Sequence, residues 1–139
     1  MKPSHRHRAR KLLVQALYEI HLSQNSWSEV LNNFLASNLD LKFDRDYFAN
    51  ILQGIEIHLI ELDAFISEGI SRNFKDINPV ELSVLRLGCY ELKYKYDIPS
   101  KVAINEALEL AKLFGSEDGY KFVNGVMDKL LKLHPECNR

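Results

Sequence analysis

The chain has 139 residues, 46% of them hydrophobic and 27% charged, with a formal net charge of −1. That length suggests one domain with one sizeable core, and the apolar and charged fractions argue against a mostly disordered chain. No apolar run reaches membrane-spanning length, the basic start lacks the apolar stretch of a signal peptide, and two cysteines make no disulfide framework; a cytoplasmic protein is expected.

The near-neutral total hides an asymmetry. Lys2, Arg6, Arg8, Arg10 and Lys11 precede the first acid, Glu19, so the first eleven residues carry five positive charges and the rest carries six net negative ones. Positive charge gathered at one end is a footprint of polyanion binding, and equally of a solubilising tail; charge alone does not separate the two.

In chain order, Ser4 is placed to cap a helix running to about Gln24, with Ala9, Leu12, Leu13, Ala16, Leu17 and Ile20 as its apolar stripe. At about 100° per residue, Arg6 and Arg10 fall along one edge of that stripe. His7, Lys11, Val14 and Tyr18 fall on the opposite face, where solvent is expected. Val14 and Tyr18 there read either as incidental exposure or as a docking spot for another protein beside the basic end.

Ser26 and Glu29 fit a capping box, and the helix that follows carries Val30, Leu31, Phe34 and Leu35 and fades near Asn38. Residues 40–43 read as a loop, with Asp44 as the next cap. Phe48, Leu52, Ile55, Leu59, Leu62 and Ile66 alternate steps of four and three, a packing seam that fits one long helix or two with a break within 59–63. His58 and Glu61 are spaced as some metal ligands are, but one pair falls short of a site.

Residues 71–77 form a polar connector. Asn78 then Pro79 start a helix that is apolar nearly all round to about Tyr94, as expected of a central buried helix. Cys89 fits there as a small core residue. Glu81 lies in its first turn, where a carboxylate suits the helix dipole.

After Asp97–Pro99, residues 101–131 read as two helices joined by a tight corner. Val102, Ala103, Ala107, Leu110, Ala111 and Phe114 stripe the first; Val123, Val126, Met127 and Leu130 stripe the second. Gly115 is expected to take a left-handed backbone, and Ser116 to cap the second helix with Glu117 and Asp118 in its first turn. Lys121, Phe122, Asn124, Gly125 and Asp128 lie beside the second stripe. Phe122, next to Lys121, is the candidate for stacking on an unpaired base, although periodicity favours the edge of the core. Asn105 and Asn124 are read as bridges between helices. Pro135 should stop the last helix and leave a frayed end containing Cys137.

No segment shows strand alternation or hairpin dipeptides, so the fold class is all-α, a bundle of about six or seven helices. There is no HExxH, GxxxxGK, GxGxxG or GxSxG. No catalytic, cofactor or metal motif is present, and catalysis is disfavoured on this pattern, with pairing of distant carboxylates left open.

Three pieces, RHRARKLLVQALYEIHLSQN, VLRLGCYEL and IPSKVAINEALELAKLFGSEDGYKFVNGVMDKL, resemble the NusB family in the right order along almost the whole chain. VAINEALELAK together with KFVNGV is the most specific part; residues 26–74 share mostly pattern. The resemblance implies about seven helices in two perpendicular three-helix bundles around a first helix, as a single RNA-binding domain over residues 1–139. It implies a transcription antitermination factor, a non-enzymatic adaptor that binds the boxA element of nascent RNA, notably ribosomal. The implied partners are the small-subunit ribosomal protein NusE and, indirectly, RNA polymerase with other Nus factors.

The same resemblance assigns RNA binding to the basic start, here Lys2, Arg6, Arg8 and Arg10, and to the corner with Lys121 and Phe122. Asp118 matches a position tied to RNA and complex function. Tyr18 and Glu81 match positions at the protein partner's surface, to which Val14 and Phe114 are added as candidates. His5 and His7 interrupt the run of arginines and would make binding more pH-sensitive. Two other readings remain at this point. One is a NusB-like domain of the kind that accompanies ribosomal RNA cytosine methyltransferases; the other is a helical scaffold with no RNA role.

Overall fold

The computed structural model describes residues 3–139, without the Pro3 side chain, so Lys2 lies outside the described residues. The described residues form seven α-helices and two short 3-10 turns, with no strand among them: α1 (Pro3–Ser23), α2 (Trp27–Ser37), α3 (Arg45–Ile57), α4 (Leu59–Glu68), α5 (Pro79–Tyr94), α6 (Ser100–Phe114) and α7 (Glu117–Leu133). The all-α expectation holds. None of these helices is long and apolar enough to cross a membrane. The chain divides into two compact units, the first ending at Ile57 and the second being His58–Arg139.

The first unit packs α1, α2 and α3 pairwise. Leu13, Leu17, Phe48, Ile51, Leu52 and Ile55 are fully buried in the chain, each worth roughly 1.5–3 kcal/mol of burial. Phe48 is flanked by Phe34, stacked at 5.9 Å, and by Phe43, edge-on at 6.0 Å.

The helix ends follow their caps. Helix α1 starts at Pro3, whose fixed φ suits a first turn, so Ser4 lies inside the helix and does not cap it. It ends before Gln24, which takes a left-handed φ of 58°. Ser26 caps α2 by accepting the Glu29 N–H at 3.5 Å, and Asp44 Oδ1 accepts the Tyr47 N–H at 3.0 Å ahead of α3.

Val14 corrects the reading of α1. It is 2% exposed, not solvent-facing. Helix α1 has two helical neighbours in its own unit, and its buried positions run from Leu12 round to Val14, an arc of roughly 200° at 100° per residue. A single stripe underestimates the burial of a helix whose covered arc is this wide.

The seam after Tyr47 is two helices, with α3 ending at Ile57 and α4 starting at Leu59. His58 sits between them at φ −104°, ψ 18°, outside helical geometry, while its carbonyl accepts the Leu62 N–H at 2.8 Å. Within the second unit the His58 ring stacks on Tyr94 at 4.5 Å, and Tyr94 donates to Glu61 at 3.0 Å. His58 and Glu61 thus serve an aromatic cluster, and among the described residues no group of three ligand-type side chains could hold a metal.

In the second unit α5 packs against α4, α6 and α7. Asn78 accepts the Val80 N–H at 2.8 Å and Pro79 opens α5, as the sequence predicts. Every residue from Leu82 to Leu92 is buried, Ser83, Arg86 and Glu91 included. The Arg86 guanidinium is held in bidentate fashion by Asp63, at 3.0 and 2.9 Å, which satisfies a buried cation. Val102, assigned to the apolar stripe of α6, is exposed instead.

The chain end is tied down, contrary to the expected fraying. Cys137 is buried, and the Arg139 guanidinium donates to the carbonyls of Glu91, Leu92, Lys95 and Tyr96, capping the last turn of α5. Burial also pushes the Cys89 thiol far above its ordinary range, so it stays a protonated core group.

Candidate nucleic-acid interface

Each unit carries one of the predicted RNA-binding regions. In the first unit the basic start of α1 is knitted to the segment before α3. The His5 carbonyl accepts the Asp44 N–H at 3.0 Å, and Arg8 Nη1 donates to the Lys42 carbonyl at 2.8 Å. Arg6 lies 4.2 Å above the Tyr47 ring and 4.0 Å from the Asp44 carboxylate, with 39% of its side chain exposed. Arg8 is exposed. Arg10 is 4% exposed, its guanidinium 5.7 Å from the Tyr47 ring centre, which corrects its reading as a surface phosphate contact. The reason is the same widened arc that buries Val14: Arg10 and Val14 are one turn apart on the same flank of α1. Of the three arginines here, Arg6 and Arg8 remain open to solvent.

In the second unit the corner is built at Gly115 and Ser116. Gly115 is extended, φ −118° and ψ −157°, not left-handed as expected. The turn is instead closed from the other side, where Ser116 Oγ accepts the Gly119 N–H at 3.1 Å and starts α7. Asp118 and Lys121 are exposed, and Lys121 makes only a solvent-exposed pair with Glu117 at 3.9 Å. Phe122 is half-buried, and the Arg72 guanidinium lies 4.0 Å above its ring centre.

Arg72 was not legible as a site residue. It sits in the polar connector after α4, with no helical period to place it. What brings it to Phe122 is Gly69, where a Cβ would come within 2.9 Å of Leu130 Cγ, Val126 Cγ1 and the Val126 carbonyl. Only glycine lets the end of α4 approach α7 this closely. Phe122, Val126 and Leu130 form one row along α7 at four-residue spacing, so the connector leaving Gly69 runs beside that row. The one signal in the sequence was an arginine three residues beyond a glycine.

Each unit also carries part of the predicted partner surface. Tyr18 on α1 is 38% exposed, and Leu22, one turn on and not singled out by the sequence reading, is 55% exposed. They continue the four-residue row that begins at Arg10 and Val14, at the end where that row opens to solvent. Glu81 is half-buried at the start of α5, and its Oε2 would be 2.9 Å from a Cβ at Gly119. Its carboxylate therefore rests on the first turn of α7 as well as on its own helix start, two positions that favour negative charge. Phe114, the last residue of α6, is half-buried beside the corner.

Both regions set a cation over an aromatic ring, Arg6 over Tyr47 in the first unit and Arg72 over Phe122 in the second. The chain is 50% identical over 129 residues to the transcription antitermination protein NusB of Idiomarina loihiensis, covering 93% of each chain. It is 46% identical to that of Shewanella frigidimarina, covering 95% of this chain and 98% of the relative. NusB from T. maritima superposes with a TM-score of 0.81 at 31% identity, covering 92% of this chain and 91% of that one. NusB in a crystal structure of antitermination factors NusB and NusE in complex with dsRNA shares the fold, with a TM-score of 0.85 at 24% identity and coverage of 96% and 100%. The NusB family model matches residues 7–132, which takes in the corner and, of the basic start, Arg8 and Arg10 but not Arg6, and this chain belongs to the NusB family.

Proposed function

We propose that this protein is a transcription antitermination factor that binds single-stranded boxA RNA of nascent transcripts, notably ribosomal leaders, together with NusE. It acts in the cytoplasm as a non-enzymatic adaptor towards RNA polymerase and the other Nus factors, and residues 1–139 serve that one function as a single RNA-binding domain. The observation that carries this reading is the identity of half the residues, along 93% of both chains, to a protein named as a transcription antitermination protein.

The site geometry supports a division of labour. Arg6 and Arg8 supply phosphate contacts from α1, while Arg10 braces Tyr47 beneath them. Lys121, Phe122 and Asp118 serve RNA at the corner. Tyr18 with Leu22, and Glu81 with Phe114, serve the protein partner. A few phosphate contacts give modest affinity at cellular salt, so a second protein bound to the same RNA raises the effective affinity.

The test is an anisotropy titration of labelled boxA RNA against a scrambled strand, with and without NusE. Preference for boxA, strengthened by NusE, is the expected result. Equal binding of both strands in both conditions would reject the adaptor reading in favour of a scaffold with no RNA role.

A further inference from the structure

We propose that Arg72, held over the Phe122 ring, is the platform on which an unpaired base of the RNA stacks, so that the base meets the guanidinium and not the bare phenyl ring. The inference rests on the RNA-binding reading above and names the residue that does the stacking at the corner.

Six of the seven arginines in the chain are committed elsewhere. Arg6 faces Asp44 and Tyr47, Arg8 the Lys42 carbonyl, Arg45 the carbonyls of Leu35 and Asn38, Arg86 the Asp63 carboxylate, and Arg139 the end of α5. Arg10 is buried. Arg72 is exposed, and among the described residues its one recorded interaction is with the Phe122 ring at 4.0 Å. Its N–H donors are left to solvent.

That arrangement suits a base better than Phe122 alone does. Phe122 is half-buried, and the Arg72 guanidinium lies over one face of its ring. A base reaching the phenyl ring directly would have to displace Arg72 and forfeit the cation–π contact. A base laid on the guanidinium keeps that contact and adds a second layer, with N–H groups at the edge of the plane to reach a phosphate or a base carbonyl. Gly69 fixes the connector against α7, so the platform is set before RNA arrives, and exposed Lys121 on the same helix supplies a neighbouring positive charge.

The test uses the full chain and a synthetic single-stranded boxA RNA, with affinity measured by anisotropy at several salt concentrations. Wild type must first prefer boxA over a scrambled strand; if it does not, the functional reading falls and this inference with it. Given that preference, R72A should bind about tenfold more weakly, the scale of one lost stacked base. R72K keeps the charge and loses the plane, so it should retain the wild-type salt slope and still bind at least about fivefold more weakly. In a set of RNAs each bearing one abasic site, one position should cost wild type about tenfold and cost R72A nothing. Wild-type affinity in R72K, or an abasic penalty unchanged in R72A, would overturn the platform while leaving RNA binding intact. Because Arg72 is exposed, unchanged thermal melting of both variants separates this role from a folding defect.

Discussion

In the first unit Arg6, Arg8 and Arg10 all reach protein atoms, whereas in the second unit Arg72 rests on one ring and otherwise meets solvent. The charge run at the start of the chain is the more conspicuous in the sequence, yet part of it cross-links α1 to Lys42, Asp44 and Tyr47. The corner has fewer cations, and they are less committed. Charge density along a sequence therefore measures potential for phosphate binding, and the structure decides how much of it remains for RNA after the fold has used its share.

The largest effect that this contrast predicts lies on α1. Val14→Asp places a carboxylate at a position 2% exposed and should cost roughly 3–5 kcal/mol, enough to unfold much of the protein in urea at midpoints where wild type is folded. Tyr18→Asp, one turn away and 38% exposed, should leave the unfolding midpoint nearly unchanged and weaken partner binding about tenfold. Equal stability of the two variants would mean that Val14 is not sealed in the core.

Next in size is Arg10→Ala. Removing a buried guanidinium and its packing against Tyr47 should cost roughly 1–3 kcal/mol in urea denaturation. The slope of log affinity for RNA against log salt should stay as in wild type, because no phosphate contact is lost. A shallower slope with full stability would return Arg10 to the RNA surface.

How much of this was legible can be told from particular residues. The caps at Ser26, Asp44, Asn78 and Ser116 all work as the sequence implies, because a cap is a local event between a side chain and an N–H two or three residues away. The central position of α5 was legible because it is apolar all round. Val14 and Arg10 were misplaced because periodicity describes one helix and cannot count its neighbours. Gly115 was given the wrong backbone because a glycine permits a left-handed turn without requiring one. The tied chain end and the Arg72–Phe122 contact join residues 43 or more apart through helix packing, and no local pattern encodes that.

At the corner, Gly119→Ala gives a smaller and more selective effect. The new Cβ would meet the Glu81 carboxylate at 2.9 Å, the far end of a flexible side chain that can swing away. The gain in helix propensity, about 1 kcal/mol, offsets lost packing, so stability should change little. Glu81 should shift, and partner affinity should fall several-fold with RNA affinity unchanged. Strong destabilisation would show instead that Glu81 is locked by the fold and is not available to a partner.

The smallest effect expected belongs to Arg8. It is exposed and gives one Nη to the Lys42 carbonyl at 2.8 Å, which leaves the rest of its guanidinium fork for a phosphate. A single exposed hydrogen bond contributes about 0.5–1 kcal/mol, so Arg8→Ala should barely move the unfolding midpoint. Each phosphate neutralised on a single strand contributes about 0.7 to the slope of log affinity against log salt, and Arg8→Ala should remove one such increment. Titrations at four or five salt concentrations resolve a change of that size. If Arg8→Ala leaves the slope untouched while Arg72→Ala lowers it, the first unit's arginines all serve the fold and the corner alone supplies the phosphate contacts.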